Sequence, residues 1–373
     1  MRKGTLDLSR YSVRTDLAIE AHQMAQERMG RSEIPGVKLE TEDEEEMRIT
    51  RVHVLNEEGA KAIGKIPGRY VTMEIPSLRK QDSELNHRVI NALSKVLVRF
   101  MQDIGIPEEA SCLIVGLGNW NVTPDSLGPT VVENVLVTRH LFELMPDQVE
   151  KGYRKVSALS PGVLGTTGIE TGDVVLSIVK EIKPDFVVAV DALASRNLAR
   201  VNTTIQIADT GIHPGSGIGN KRKAISQETL GIPALAIGVP TVVDAVSVAS
   251  DTIDYLLKHL GRQLKESRTP PSARSRLLVD RYTPLYEKPP SFSEEDLPNM
   301  EERVTLMGMV GELNEEEKRS LIREVLQPMG YNLIVTPKEV DAFIEEIGNI
   351  LANGLNRALH KAVNAKNVTS YTH

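Results

Sequence analysis

Two kinds of hydrophobic pattern alternate along the chain. Apolar residues recur at helical spacing from Leu17 onward, and again over Ser83–Asp103, Gly168–Ile182 and Thr241–Leu260. Short apolar runs typical of buried strands separate these segments: Arg48–Leu55, Tyr70–Ile75, Cys112–Val115, Phe186–Asp191, Thr203–Ala208 and Ala234–Gly238. This alternation predicts an α/β protein, with a mostly parallel twisted sheet and helices on both faces.

Polar stretches suggest how the chain is organised. Residues 1–16 lack apolar periodicity, and the acidic run Glu40–Glu46 is expected to be a solvated loop. Residues 261–300 are rich in Arg, Ser and Pro, which is typical of a flexible linker or loop. We therefore expect one α/β domain over residues 17–373, with its core at about 85–260 and a mainly helical part at 301–373.

The charge and the cysteine content of the chain argue against several classes of binding partner. The formal net charge of -7 argues against a DNA-binding protein, because neutralising phosphates requires a basic surface. The single cysteine, Cys112, cannot form an internal disulfide and lies in a buried apolar run. No run approaches the roughly 20 apolar residues needed to span a bilayer, and the N-terminus has no apolar signal region. We expect a cytoplasmic protein with no membrane partner.

Two aspartates stand where the predicted sheet should present functional groups. Asp191 ends the apolar run Phe186–Val190, and Asp125 lies in the loop that leaves the strand Cys112–Val115. Strands of an open α/β sheet gather functional groups at their carboxyl edge. Two carboxyls that meet there would hold one proton between them and could transfer protons during peptide hydrolysis. The alternative is that each aspartate only caps a helix.

Two glycine-containing loops add candidate binding residues. The turn Gly116–Asn119 lacks the spacing of a dinucleotide fingerprint, and its backbone N–H groups at Gly118 and Asn119 could stabilise an oxyanion. The loop Asp209–Asn220 lacks a P-loop ending and is expected to be either a flap over the substrate or a plain surface loop. The basic residues Lys221 and Arg222, which follow it, could contact acidic substrate residues.

Three separated blocks carry a resemblance to a known family. They are LDLSRYSVRTDLAIEA (Leu6–Ala21), the central block containing GLGNWNVTPDSLGPTVVENVL (Gly116–Leu136) and PDFVVAVDALASR (Pro184–Arg196), and ADTGIHPGSGIGNKR (Ala208–Arg222). Together they resemble the germination proteases of spore-forming bacteria over nearly the whole chain. The two central motifs also resemble those of hydrogenase-maturation endopeptidases.

The resemblance implies a specific function. Such proteins are homotetrameric, self-processing zymogens of the forespore that cleave small acid-soluble spore proteins during germination. Their catalytic pair falls here on Asp125 and Asp191, and no metal or other cofactor is implied. The run Thr15–Glu20 fits their cleavage pattern, which predicts removal of a propeptide, residues 1–16, by cleavage between Asp16 and Leu17.

Two other functions remain open at this point. One is a nickel-dependent maturation-type endopeptidase, for which His213 would be the nearby histidine. The other is a non-catalytic module that binds spore proteins on a protease-like fold. Loss of turnover in Asp125→Asn and Asp191→Asn would separate a protease from a binding module.

Overall fold

The computed structural model describes residues 15–44, 46–80, 82–212, 223–267, 296–326 and 333–363. The chain divides into two compact units, Arg14–Val243 with Val335–His373, and Met1–Val13 with Asp244–Ile334. The larger unit contains both aspartates. The predicted propeptide falls almost wholly outside the described residues, as does most of the predicted linker.

A central sheet organises the larger unit. Its strands are β1 (Val37–Glu44), β2 (Met47–Val54), β3 (Gly68–Glu74), β4 (Cys112–Gly116), β5 (Val156–Leu159), β6 (Phe186–Ser195), β7 (Thr204–Ala208) and β8 (Ala234–Asp244). Their order across the sheet is β1-β2-β3-β7-β8-β6-β4-β5. The two strands associated with the aspartates, β4 and β6, are therefore direct neighbours.

The sheet is mixed, so the prediction of a mostly parallel sheet is correct for one half only. The pairs β5–β4, β4–β6 and β6–β8 are parallel. From β8 through β7, β3 and β2 to β1, every pair is antiparallel. The β1–β2 pair has this direction because residues 45–46 alone join the strands, and a parallel pair needs a crossover of a dozen or more residues.

Helices cover both faces of this sheet, as predicted. The helices of the larger unit are α1 (Ala18–Met29), α2 (Glu57–Ile63), α3 (Ser83–Asp103), α4 (Leu127–Asn134), α5 (Arg139–Leu144), α6 (Leu164–Thr167), α7 (Thr171–Ile182), α8 (Gln227–Leu230) and, near the C-terminus, Val340–Leu359. Alternate residues of β6 face opposite sides: Val188 packs with α3 and α4, and Ala189 packs with α7. Helices α1 and α2 cover the same side as α7, at the β2–β3–β7 part of the sheet.

Local pattern was misleading at the edges of the sheet. The acidic run expected to be a loop is mostly strand β1, whose side chains are exposed except for a half-buried Val37. Its carboxylates pair with the next strand, Glu42 with Arg51 at 3.1 Å and Asp43 with Arg48 at 2.6 Å. Edge strand β5 lies in a stretch where the sequence pattern predicted no strand. Neither edge strand shows the burial pattern from which strands are recognised.

The smaller unit is mainly helical where it is described. It contains α9 (Ala245–Ser267), α10 (Met300–Met307), a 3-10 helix at Gly308–Glu312 and α11 (Glu315–Leu326). Helix α9 includes residues 261–267, so helix continues into the predicted linker. The buried Lys318 ammonium pairs with Asp254 at 2.5 Å. The short strand β9 (Ile334–Val335) marks the chain boundary between the units, and Val340–Leu359 is α12. No helix in the described part of the chain is long and apolar enough to cross a membrane.

Candidate active site

Asp191 lies within a strand. It follows five buried apolar residues of β6, and the strand continues to Ser195, four residues farther than the sequence predicted. Asp191 pairs with Gly238 of β8, and its half-buried side chain points to the face covered by α1 and α7. Because β4 ends at Gly116, beside Val190, Asp191 is the first residue of β6 beyond the end of its neighbour.

The loop after β4 brings Asp125 to the same place. The Leu117 N–H donates to the Val190 carbonyl at 2.8 Å, so the loop begins directly beside Asp191. A 3-10 turn, Thr123–Asp125, then returns the chain, and the Asn119 N–H donates to the Asp125 carbonyl at 3.0 Å. The Thr241 hydroxyl donates to the Pro124 carbonyl at 2.6 Å and fastens this turn to β8.

The two carboxyl groups influence each other electrostatically. Burial raises the pKa of Asp191 well above the usual range, and the negative charges of Asp125 and, to a smaller extent, Asp16 raise it further. Burial also raises the pKa of Asp125, opposed by a hydrogen bond from the Asn119 backbone N–H. Both carboxyls therefore stay protonated to a higher pH than an isolated aspartate does.

Neither aspartate caps a helix. Helix α4 begins after Ser126, and no side chain caps its first turn. Asp191 accepts a hydrogen bond from its own neighbour, the Ala192 N–H, at 2.9 Å within the strand. The capping alternative for Asp125 and Asp191 is therefore wrong, and both carboxyls remain available for other chemistry.

The predicted binding residues Gly118 and Asn119 line this turn. Gly118 has φ +117°, and a Cβ atom there would lie 1.8 Å from the Asp125 carbonyl oxygen. Only glycine fits this close approach. Asn119 donates its N–H to that carbonyl and accepts a hydrogen bond from the Asn121 N–H through its side chain at 3.0 Å. The glycine therefore sets the distance between the turn and Asp125.

The other predicted site residues fall into two groups. Asp16 and Leu17 lie against the sheet near Asp191. The Asp16 N–H donates to the Ala194 carbonyl, the Asp16 carboxylate accepts from the Ala194 N–H, and Leu17 is fully buried. His213, Lys221 and Arg222 lie outside the described residues. Among the residues that the structure describes, no three His, Cys, Asp or Glu side chains are grouped so as to hold a metal ion.

The polar contacts around Asp16 were not predicted from the sequence, although Glu20 belongs to the predicted cleavage pattern. Lys65 and Gln206 both donate to the Asp16 carbonyl oxygen at 3.0 Å. Glu20, only 2% exposed, accepts N–H bonds from Arg196 and Asn197 and pairs with the Arg200 guanidinium at 3.2 Å. Each is a lone polar residue in its own stretch of sequence, and only the tertiary fold brings these residues together.

Comparison with known proteins identifies the family of this chain. The structure is that of an α/β protein with two aspartates, both of raised pKa, beside the ends of two parallel strands. The sequence matches the family described as Germination protease over residues 18–372. It is 58% identical to the germination proteases of Bacillus cytotoxicus and Bacillus mycoides and 57% identical to that of Bacillus cereus strain AH187, with 100% of both chains covered in each case. The chain belongs to the germination protease family and is a peptidase of spore germination.

Proposed function

We propose that the peptidase uses Asp125 and Asp191 as an aspartate pair, without a metal or other cofactor. One observation carries the proposal: the two carboxyls lie close enough, beside the end of β4, for the negative charge of Asp125 to raise the pKa of Asp191. A pair that holds one proton supplies both a base and an acid in one place. Peptide hydrolysis requires those two functions.

The pKa of Asp191 is raised further than that of Asp125, and this difference supports one distribution of the roles. Asp125, whose pKa is raised less, is the ionised carboxylate that takes a proton from water as the water attacks the peptide carbonyl carbon. Asp191 holds the shared proton and donates it to the leaving amine. The Gly118 N–H is a candidate for contacting the substrate because it lies on the turn that carries Asp125, whereas the Leu117 and Asn119 N–H groups already donate to backbone carbonyls.

The substrates proposed are small acid-soluble spore proteins. The proposal rests on the family resemblance, on the full-length relatives being germination proteases, and on a segment of this chain that fits the cleavage pattern implied by that resemblance. That segment, Thr15–Glu20, has an acidic residue before an apolar residue, then Ala, and a second acid farther on. Lys221 and Arg222 remain proposed contacts for substrate acids.

The same segment supports self-processing. We propose that residues 1–16 are a propeptide, that the chain is a zymogen, and that cleavage between Asp16 and Leu17 activates it within the forespore or spore core. A homotetramer is proposed from the family resemblance alone. Light scattering of the purified protein at micromolar concentration measures the number of subunits directly.

Turnover of a purified small acid-soluble spore protein tests the aspartate pair. Asp125→Asn and Asp191→Asn should each lower kcat by a factor of about 10² to 10⁴, the usual contribution of a general acid or base. Asp147→Asn, which changes an exposed carboxyl elsewhere in the same unit, is the matched control and should keep full activity. Turnover at the wild-type rate by either site variant would refute the proposed mechanism.

A further inference from the structure

The predicted scissile segment lies on the same face of the sheet as Asp191. Gln206 of β7 and Asp191 of β6 both pair with Gly238 of β8, so the three residues form one row across the sheet. Residues paired in this way point to the same face, and the two outer strands of the row are about 10 Å apart. The glycine contributes no side chain, and the Leu193 side chain lies over it. The amide of Gln206 and the carboxyl of Asp191 therefore face the same side of the sheet, with Leu193 between them.

Residues 15–18 lie on this face of the sheet, where Gln206 binds the backbone on both sides of Leu17. The Gln206 amide nitrogen donates to the Asp16 carbonyl at 3.0 Å, and its amide oxygen accepts from the Ala18 N–H at 2.6 Å. Gln206 thus brackets Leu17, the residue that follows the peptide bond in question, and holds the carbonyl of that bond. The Leu17 side chain is fully buried and clusters with Leu193, which fixes the residue after this bond.

A second donor converges on the same oxygen. The Lys65 ammonium donates to the Asp16 carbonyl at 3.0 Å and also to the Thr15 carbonyl at 3.0 Å. Burial lowers the pKa of Lys65, and the charges of Asp16 and Glu20 oppose that change. A cationic donor and an amide donor therefore meet at one carbonyl oxygen in a partly desolvated position.

The segment is also held in register from both ends. The Asp16 N–H donates to the Ala194 carbonyl at 3.0 Å, and the Asp16 carboxylate accepts the Ala194 N–H at 2.8 Å. The carboxylate of Glu20, the fourth residue after the bond, accepts hydrogen bonds from the Arg196 N–H at 2.7 Å and the Asn197 N–H at 3.0 Å. These contacts select an acid on each side of the bond and prevent it from sliding along the sheet.

We infer that Lys65 and Gln206 are the oxyanion-stabilising catalytic residues of self-cleavage between Asp16 and Leu17. The inference rests on the proposed function. Water adds to the Asp16 carbonyl carbon and gives a proton to the aspartate pair, and the oxygen that becomes negative is the one held by the two donors. The C–N bond then breaks, the Leu17 nitrogen takes a proton from the pair, and a carboxyl group and a free amine result.

Intact-mass measurement of full-length protein during activation gives the first-order rate of self-cleavage. Lys65→Met removes the cationic donor at similar length and should slow cleavage by about 10²- to 10³-fold, the cost of losing one oxyanion donor. Lys65→Arg keeps a cationic donor and should stay within about tenfold of wild type. Gln206→Glu keeps the acceptor for the Ala18 N–H but loses the donor to Asp16, so it should also slow cleavage by about 10²-fold. Lys61→Met, on the exposed side of α2, is the control.

The outcomes separate this inference from the proposed aspartate pair. Wild-type cleavage rates in both Lys65→Met and Gln206→Glu would overturn the inference, even if Asp191→Asn abolishes cleavage. Slow cleavage in both variants, with unchanged thermal unfolding and restored rate in Lys65→Arg, supports it whether or not Asp191→Asn is inactive. If Lys65→Met does not fold, Lys65→Arg and Gln206→Glu still decide the result. Absence of wild-type cleavage at this bond would refute both the proposed processing site and the inference.

Discussion

Replacing Gly118 by alanine would place a methyl group against the main chain of Asp125. The new Cβ would lie 1.8 Å from the Asp125 carbonyl oxygen, whereas ordinary van der Waals contact begins near 3.4 Å, so the two must separate by about 1.6 Å. The obstacle is backbone on both sides, and no side-chain rotation relieves it. Because φ is +117°, alanine is also strained at this position.

This displacement should affect activity more than stability. A strained backbone position costs about 1–3 kcal/mol, and misplacing a catalytic group by about 1 Å can lower the rate about 10²-fold. We therefore expect Gly118→Ala to unfold cooperatively at a moderately lower temperature and to lose about 10²-fold or more in kcat on a small acid-soluble spore protein. Parallel kcat and thermal unfolding measurements on one preparation separate the two effects.

A control substitution at a second glycine separates the effect of backbone strain from the effect of the steric clash. Gly105 also has a positive φ, +76°, but a Cβ there would meet no atom within 4 Å. Gly105→Ala should lower stability by about 1 kcal/mol and leave kcat unchanged. Wild-type kcat in Gly118→Ala would show that the turn does not control the position of Asp125, and the geometric argument for the site would fail.

Two further predictions concern the dependence of stability on pH. Because the pKa of Asp191 is raised in the folded state, its ionisation costs stability as the pH rises above about 4, the ordinary value for aspartate. Asp191→Asn should therefore be more stable than wild type near pH 7, by about 0.5–2 kcal/mol. Denaturant titrations should show this difference disappearing below about pH 4. A variant that is less stable than wild type at pH 7 would contradict the prediction. Burial lowers the pKa of His360 from 6.5 to about 4, so the imidazole is harder to protonate in the folded state than in the unfolded state. The free energy of unfolding therefore falls by up to about 3 kcal/mol as the pH falls from 6.5 to 4. His360→Asn should be less stable at pH 7 and show a shallower loss over that interval, and an equal slope in both proteins would refute the assignment.

Sequence-based prediction was correct for strands whose burial is visible as a continuous apolar run. The run Phe186–Val190 is buried on both faces in the parallel half of the sheet, and its continuous apolar character indicated this directly. Asp191 was identifiable because a carboxyl ends that run. The exposed strand β1 was missed, since its charged side chains pair across an edge instead of packing into a core. Strand β5 was missed for a related reason, because it is short and lies at the other edge.

The sequence by itself determined the alternation of strands and helices, the two aspartates and, through resemblance, the family. Those features depend on residues that are close together in the sequence, so they can be recognised from the sequence alone. Only the tertiary structure decided that antiparallel strands complete the sheet, and that Gln206, Gly238 and Asp191 share a row. The same holds for Lys65, which reaches the Asp16 carbonyl across 49 positions of sequence. Strand order and register arise from packing between distant segments, and a lone polar residue carries no local sign of the partner it will meet.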